Sequence, residues 1–83
     1  MKLAYFASIR ERIGLAGEDV VLPADIATVA ELIRWLEGRG DNYAEALKTP
    51  QLVRVALDHE HARHDAPLAA VREVAFFPPM TGG

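Results

Sequence analysis

Three histidines lie close together in the second half of the chain and are the first residues that could do chemistry. His59, His61 and His64 fall within six residues, and neutral imidazoles are common ligands of zinc and nickel. On an extended segment His59 and His61 would share a face, whereas His64 would not. The chain has no cysteine to complete a strong site, and the surrounding segment is polar and turn-like. We therefore expect no metal site, and the pattern leaves the role of the three histidines open.

The other chemically suggestive feature is the C-terminal segment, which runs from Phe76 to Gly83 and reads FFPPMTGG. From Pro78 onward it can reach at most about 20 Å when extended. Its prolines favour an extended start and reduce the entropy lost on docking, and glycines without a Cβ can thread a channel that rejects any side chain. The terminal carboxylate is anionic and therefore a poor electrophile, so chemistry at Gly83 needs activation. The segment predicts an arm that carries its end into another protein's active site; the alternative is a frayed end without function.

The composition describes one small acidic domain. The chain has 83 residues, 51% of them hydrophobic, and a net charge of −3, which provides for one core and leaves no room for a second. A large active-site pocket walled by this chain alone is not expected, so a partner must supply much of any active site. We expect no nucleic acid as a partner because no basic patch stands out. We expect no membrane span because no apolar run approaches the necessary ~20 residues.

Localisation and cofactor use follow from what the sequence lacks. The N-terminus is too short and too quickly charged for a signal peptide, so we expect a cytoplasmic protein. The glycines at positions 14, 17, 38 and 40 have neither the spacing of a phosphate-binding loop nor a following Lys-Ser/Thr. We therefore expect the chain itself to bind neither ATP nor another cofactor.

Hydrophobic patterning predicts the elements that must position these residues. The predicted strands are Lys2–Ala7, Glu18–Pro23, Leu52–Leu57 and Glu73–Phe77. A main helix begins at Thr28, which can form a capping box with Glu31, and a short helix follows over Asp41–Leu47. Ser8–Gly17 and Asp58–Pro67 are expected to be a loop and a turn. The apolar first and last strands should be central, which predicts an α+β grasp: a mixed sheet packed on one main helix.

Two phenylalanines indicate an interaction surface. One helix can bury only one face of the sheet, whereas the first and last strands are apolar on both faces. Phe6 and Phe77, or their neighbours of opposite parity, are therefore expected on the uncovered face. We interpret this aromatic pair as a candidate partner interface. The alternative is that a loop or long side chains cover it.

The chain resembles the small subunits of molybdopterin synthase, the MoaD-type ubiquitin-like sulfur carriers, over nearly its whole length. The motifs that carry the resemblance are Tyr5-Phe6-Ala7-x-x-Arg10-Glu11, Thr28-Val29-x-x-Leu32 and Glu73-Val74-Ala75-Phe76-Phe77-Pro78-Pro79-x-x-Gly82-Gly83. The resemblance implies a ubiquitin-like β-grasp domain over residues 1–77 and a flexible C-terminal tail over residues 78–83. The family commonly has an asparagine where this chain has Asp58, which puts a side-chain amide contact there in doubt.

The resemblance also implies the chemistry. A partner enzyme uses ATP to adenylate Gly83, and a persulfide sulfur replaces the adenylate to leave a thiocarboxylate. The large subunit of the synthase binds the tail and accepts the sulfur into the pterin precursor, in a heterotetramer of two carriers on a dimer of large subunits. Met80, Thr81 and Gly82 would thread the large subunit, and Phe6, Phe77, Pro78 and Pro79 would form the interface. The chain would have no activity alone.

Three alternatives remain open. A related ubiquitin-like carrier could serve thiamine synthesis, tRNA thiolation or cysteine synthesis with the same tail chemistry. A protein modifier would instead form isopeptide bonds through Gly83. A plain binding domain would carry an inert tail.

Overall fold

A computed structural model describes residues 1–79. The predicted threading residues Met80, Thr81 and Gly82 and the predicted sulfur carrier Gly83 lie outside this described part. The strands are β1 Lys2–Tyr5, β2 Gly17–Asp19, β3 Arg54–Leu57, β4 Glu60–Ala62 and β5 Glu73–Phe77. The helices are α1 Ala7–Ile13, α2 Val29–Glu37 and α3 Asp41–Ala46, and a single 3₁₀ turn covers Pro50–Leu52.

The five strands form one mixed sheet in the order β2-β1-β5-β3-β4. The first and last strands are central neighbours and run parallel, with Tyr5 beside Phe76. The pairs β1–β2, β3–β5 and β3–β4 are antiparallel. The predicted α+β architecture with central first and last strands is therefore confirmed.

The core lies between one face of this sheet and the helices. Alternate residues of the central strands point into it, and Leu3, Tyr5, Val74 and Phe76 are almost completely buried. The opposite parity of the same strands points away from the helices, so one face of the sheet has no helical cover.

Helix α2 covers the sheet as its sequence predicts. Thr28 caps it: the Thr28 side chain accepts the backbone N–H of Glu31, and Glu31 accepts the backbone N–H of Thr28 in return. This reciprocal capping box satisfies donors that would otherwise be unpaired at the helix start. The four residues of its predicted apolar stripe are all buried, namely Val29, Leu32, Ile33 and Leu36.

The prediction of a loop over Ser8–Gly17 was wrong, because helix α1 occupies Ala7–Ile13. The helix buries Ile9 and Ile13, one turn apart, and ends at Gly14, whose φ of 89° is the left-handed conformation common after a helix. The Asn42 side chain donates a hydrogen bond of 2.8 Å to the Ile13 carbonyl, which satisfies one of the unpaired acceptors at the helix end.

The predicted turn over Asp58–Pro67 was also partly wrong, because it contains the edge strand β4. Asp58 and His59 form the two-residue link between β3 and β4, and both have positive φ, as a tight two-residue hairpin turn requires. Three predicted strands are shorter than expected: β1 ends at Tyr5, β2 covers only Gly17–Asp19, and β3 begins at Arg54.

Candidate partner-binding site

The C-terminal segment leaves the sheet from β5, its central strand. Pro78 and Pro79 follow the last strand residue, and both are half-buried. They form one wall of a groove of about 150 Å³ beside α1 and the connection that precedes β3. Ile9 and Val53 form its buried floor, while Arg12 and Lys48 are exposed at its rim. The root of the predicted tail is therefore seated on the domain.

The predicted interface residues Phe6 and Phe77 lie side by side on the uncovered face. Tyr5 pairs with Phe76, so Phe6 is the next position along β1 and Phe77 the next along β5. The backbone N–H of Phe6 donates to the Phe76 carbonyl at 3.0 Å, which continues the parallel pairing to this point. Phe6 is 49% exposed, and Phe77 is half-buried. The structure thus places the two aromatic residues at adjacent register positions where the tail begins. Their role as interface anchors stays a prediction.

A row of small residues crosses the uncovered face next to the two phenylalanines. Ala4 pairs with Ala75, and Ala75 pairs with Ala56. Ala56 in turn pairs with His61 on the edge strand. Because alanine side chains are short, Phe6 and Phe77 project further from this face than the alanines do. A partner can therefore approach the sheet closely over the alanines.

The three histidines do not converge. His61 contacts Phe77 edge-to-face, with ring centroids 5.4 Å apart. His59 Nε2 lies 3.4 Å from a carboxylate oxygen of Glu73, and His64 Nε2 lies 2.7 Å from the Val53 carbonyl oxygen. Within residues 1–79, no group of three or more histidine, cysteine, aspartate or glutamate side chains is placed to hold a metal ion.

Asp58 connects the β3–β4 turn to the start of β5. One carboxylate oxygen accepts the backbone N–H of Arg72 at 3.0 Å and that of Glu73 at 2.9 Å. A carboxylate oxygen and an amide oxygen can both accept such bonds, so the acceptor function does not require the asparagine common in the family. The contact holds the first residue of the strand that ends in the tail.

A second polar cluster surrounds Glu18 on the opposite, helix-covered side of the sheet. Its carboxylate accepts hydrogen bonds from the hydroxyls of Tyr5 at 2.8 Å and Tyr43 at 2.6 Å, and from Arg39 at 2.9 Å. The Arg39 guanidinium in turn lies over the rings of Trp35 and Tyr43, 5.2 and 5.1 Å from their centroids. These contacts link β1, β2 and the helices.

The ionisation of this cluster follows from burial and hydrogen bonding. Burial opposes the charge on Glu18, but the donors Tyr43, Tyr5 and Arg39 outweigh it and lower the pKa of the Glu18 carboxyl. Burial and the bond to the Glu18 carboxylate raise the pKa of the Tyr5 hydroxyl well above its ordinary value, and the same causes raise the pKa of Tyr43. At neutral pH the cluster is a carboxylate held by neutral hydroxyls, which suits a structural role.

Two residues whose positions the structure shows, Arg54 and Glu18, were not singled out by the sequence analysis. Arg54 lies directly opposite Phe77 on the neighbouring strand and is exposed. Glu18 is a strand residue whose side chain is only 15% exposed, although the sequence around it suggests an ordinary surface acid. The signal for Arg54 was its position one residue before the buried Val55, but the register across the sheet depends on the whole fold.

No helix within the described residues is long and apolar enough to cross a membrane.

The order of the strands, the helix packed across them and the tail that continues the central strand define a ubiquitin-like β-grasp protein. A solved structure with this fold is the small archaeal modifier protein 1 of H. volcanii. Its TM-score is 0.72 at 26% sequence identity, and the match covers 96% of this chain and 97% of that one.

Sequence similarity narrows the class further. The chain belongs to the ThiS family, which it matches over residues 3–83. It is 37% identical to the molybdopterin synthase sulfur carrier subunit of Escherichia coli over 100% of this chain and 99% of that protein. It is 34% identical to the protein of the same name from Haemophilus influenzae, with the same coverage. The resemblance to MoaD-type sulfur carriers is therefore confirmed.

Proposed function

We propose that this chain is the sulfur-carrier subunit of molybdopterin synthase, acting in the cytoplasm with Gly83 as the covalent carrier. The observation that carries the proposal is that the similarity to sulfur carrier subunits spans the whole chain, including the segment that ends in Gly82 and Gly83. A domain without an enclosed catalytic pocket in its described part, from which a central strand leads directly into the tail, fits a carrier better than a self-sufficient enzyme.

The proposed chemistry begins at the terminal carboxylate. A carboxylate oxygen of Gly83 attacks the α-phosphorus of ATP on an activating enzyme, and pyrophosphate leaves. Sulfur from a donor on the partner side then attacks the carbonyl carbon of Gly83. The bond between this carbon and the phosphate oxygen of AMP breaks, and AMP leaves with the electron pair. If the donor is a persulfide, the first product is an acyl disulfide; a thiol on the partner side then attacks the donor's sulfur, which breaks the S–S bond, releases the thiocarboxylate and leaves a disulfide on the donor. The carrier supplies the acyl group and its access to the active site, and the partners supply the acid–base groups.

The proposed acceptor complex is formed with the large subunit. Phe6 and Phe77 would contact it from the uncovered face, and Pro78 and Pro79 would direct the tail into its active site. Met80, Thr81 and Gly82 would thread the channel, where Gly82 is required because it has no Cβ. The thiocarboxylate sulfur then passes to the pterin precursor, and two carriers on a dimer of large subunits would complete the dithiolene.

Because Gly82 would thread a narrow channel, Gly82→Ala should reduce the rate of dithiolene synthesis about 100-fold. The added methyl group would displace the reacting carbonyl within the channel, and misplacement of about 1 Å can reduce a rate roughly 100-fold. The measurement is dithiolene formation with the purified large subunit, activating enzyme, ATP and sulfur donor. Gly38→Ala is the matched control, because a Cβ at Gly38 would make only an ordinary 3.5 Å contact with the Trp35 carbonyl oxygen. Full synthesis by Gly82→Ala would contradict the threading argument.

A second candidate is a protein modifier joined to target lysines through Gly83. It is favoured by the structural similarity to the small archaeal modifier protein 1. The two functions share the activated C-terminus and differ in the nucleophile that attacks it. Tagged chain recovered from its own cells would carry higher-mass conjugates if it is a modifier, and these would be lost on deletion of Gly82 and Gly83.

A further inference from the structure

Arg54 occupies a defined place beside the proposed interface. It is the direct cross-strand partner of Phe77, in the antiparallel pairing of β3 with β5. Both residues belong to the parity that points away from the helices, since the intervening positions Val55 and Phe76 are buried. Phe6 lies on the other side of Phe77. The end of the sheet that leads into the tail therefore presents two aromatic residues followed by an arginine: Phe6 just after β1, Phe77 on β5 and Arg54 on β3.

Arg54 makes no ion pair with any side chain of the described residues 1–79. A shallow pocket of about 290 Å³ lies beside Arg54, and a second arginine, Arg63, also lines it. Arg63 lies 3.4 Å from Asp65, and both of these side chains are largely exposed. The edge of the interface next to Phe77 thus carries the positive charge of Arg54, which no described side chain pairs.

This local charge differs from that of the rest of the molecule. The chain as a whole has a net charge of −3. On the uncovered face, Asp19 and Glu73 lie at the opposite end of the sheet, where both are in register with Lys2. These two acids flank Lys2 far from the tail, whereas Arg54 is adjacent to the strand residue from which the tail departs.

We propose that Arg54 is a specificity-determining residue, which pairs with a carboxylate on the large subunit beside the apolar site that receives Phe77. This inference rests on the proposed function and names the chemistry of the partner surface. Aromatic contacts supply affinity but little orientation, whereas a guanidinium pairs with a carboxylate in a fixed, two-pronged geometry. Since Arg54 lies one strand from the root of the tail, this pairing fixes how the domain, and with it the root of the tail, is oriented on the large subunit.

A role in binding can be separated from a role in folding. An exposed arginine without an ion pair in the described part of the chain contributes little to stability, so its replacement should leave the fold intact. Arg34 provides a matched control, because it is exposed on α2 in the helical layer, away from the uncovered face. Replacing either arginine, Arg54 or Arg34, by glutamate changes the net charge of the chain by the same amount.

The test is the Kd between the full chain and the large subunit from the same organism, measured by titration at low and at high salt. Arg54→Glu should weaken binding about 10-fold or more, as expected for a close charge pair across an interface. Arg54→Leu, which keeps apolar bulk, should remove part of the salt dependence, and Arg54→Lys should retain most of the salt dependence while losing affinity. Arg34→Glu should bind within about twofold of the wild type, and the thermal midpoints should agree.

The outcomes separate this inference from the proposed function. If Arg54→Glu binds like the wild type while Phe77→Ala binds more weakly, the Arg54 assignment is wrong and the proposed interface stands. If Arg54→Glu weakens binding only to the activating enzyme, the assignment to the large subunit is likewise wrong. If the wild-type chain fails to bind the large subunit at all, the proposed function fails and the inference fails with it.

Discussion

At the scale of single residues, Glu18 joins parts of the chain that are distant in sequence. Its carboxylate on β2 accepts hydrogen bonds from Tyr5 on β1 and from Tyr43 on α3. The third donor, Arg39, comes from the connection between α2 and α3. Because the side chain is largely withdrawn from solvent, removing its charge would leave two hydroxyls and a guanidinium with a weaker acceptor.

The lowered pKa of Glu18 predicts a pH dependence of stability. The folded state releases this proton more readily than the unfolded chain, whose glutamates titrate near about 4.3. The stabilisation is therefore complete above that pH and is lost as the pH falls through the lower, folded-state pKa. Glu18→Gln should lower the free energy of unfolding by about 1–3 kcal/mol at pH 7 and flatten its dependence on pH below about 5.

Urea unfolding, repeated at about every pH unit from about 3 to 7, measures both the free energy of unfolding and its dependence on pH. Asp19→Asn is the control, because Asp19 is the exposed next residue on the same strand. If Glu18→Gln and Asp19→Asn had the same free energy of unfolding at pH 7 and the same decrease of it at acid pH, the stabilising role of the Glu18 carboxylate would be contradicted.

Residue-level reasoning also shows which part of the site was predictable. The parity of β1 and β5 predicted only that Phe6 and Phe77, or their neighbours of opposite parity, lie on the uncovered face, because side-chain direction alternates along any strand. The burial of Tyr5 and Phe76 in the structure decides for Phe6 and Phe77. Arg54 could not be placed beside Phe77 in the same way. That neighbour depends on the register between β3 and β5, which is set by the packing of the whole core.

At the scale of elements, local sequence patterns predicted some helices and strands correctly and others wrongly. Helix α2 combines a capping box with an apolar stripe, and it lies where its sequence predicts. Helix α1 was missed because Gly14 and Gly17 suggest a loop, although Ile9 and Ile13 already have the spacing of one helical turn. Strand β4 was missed because its residues are mostly polar and it pairs only with β3 at the sheet edge.

The capping box predicts a measurable contribution of Thr28 to stability. Thr28→Ala removes the acceptor for the Glu31 backbone N–H and should cost about 1 kcal/mol. For a domain of this size, that corresponds to a decrease of roughly 4–8 °C in the thermal midpoint. Thr28→Ser keeps the hydroxyl and should stay close to the wild type. Equal midpoints for the alanine and serine variants would show that the cap contributes nothing.

At the scale of the whole molecule, the fold separates a stable domain from the group that would react. The helices and one sheet face form the core, and the other face carries Phe6, Phe77 and Arg54 at the end from which the tail departs. This division fits the proposed function, in which the chain brings its terminus to the catalytic groups of partner proteins. The predicted domain boundary after Phe77 stays a prediction, and Pro78 and Pro79 already line a groove on the domain.

The central claim is that Gly83 carries sulfur, and fragmentation mass spectrometry of the C-terminal peptide tests it most directly. The peptide should come from protein isolated from its own cells, with the mass change localised within the peptide because oxidation of Met80 adds nearly the same mass. We expect that one oxygen of Gly83 is replaced by sulfur. An unmodified Gly83, even after incubation with the activating enzyme, ATP and sulfur donor, would contradict the account.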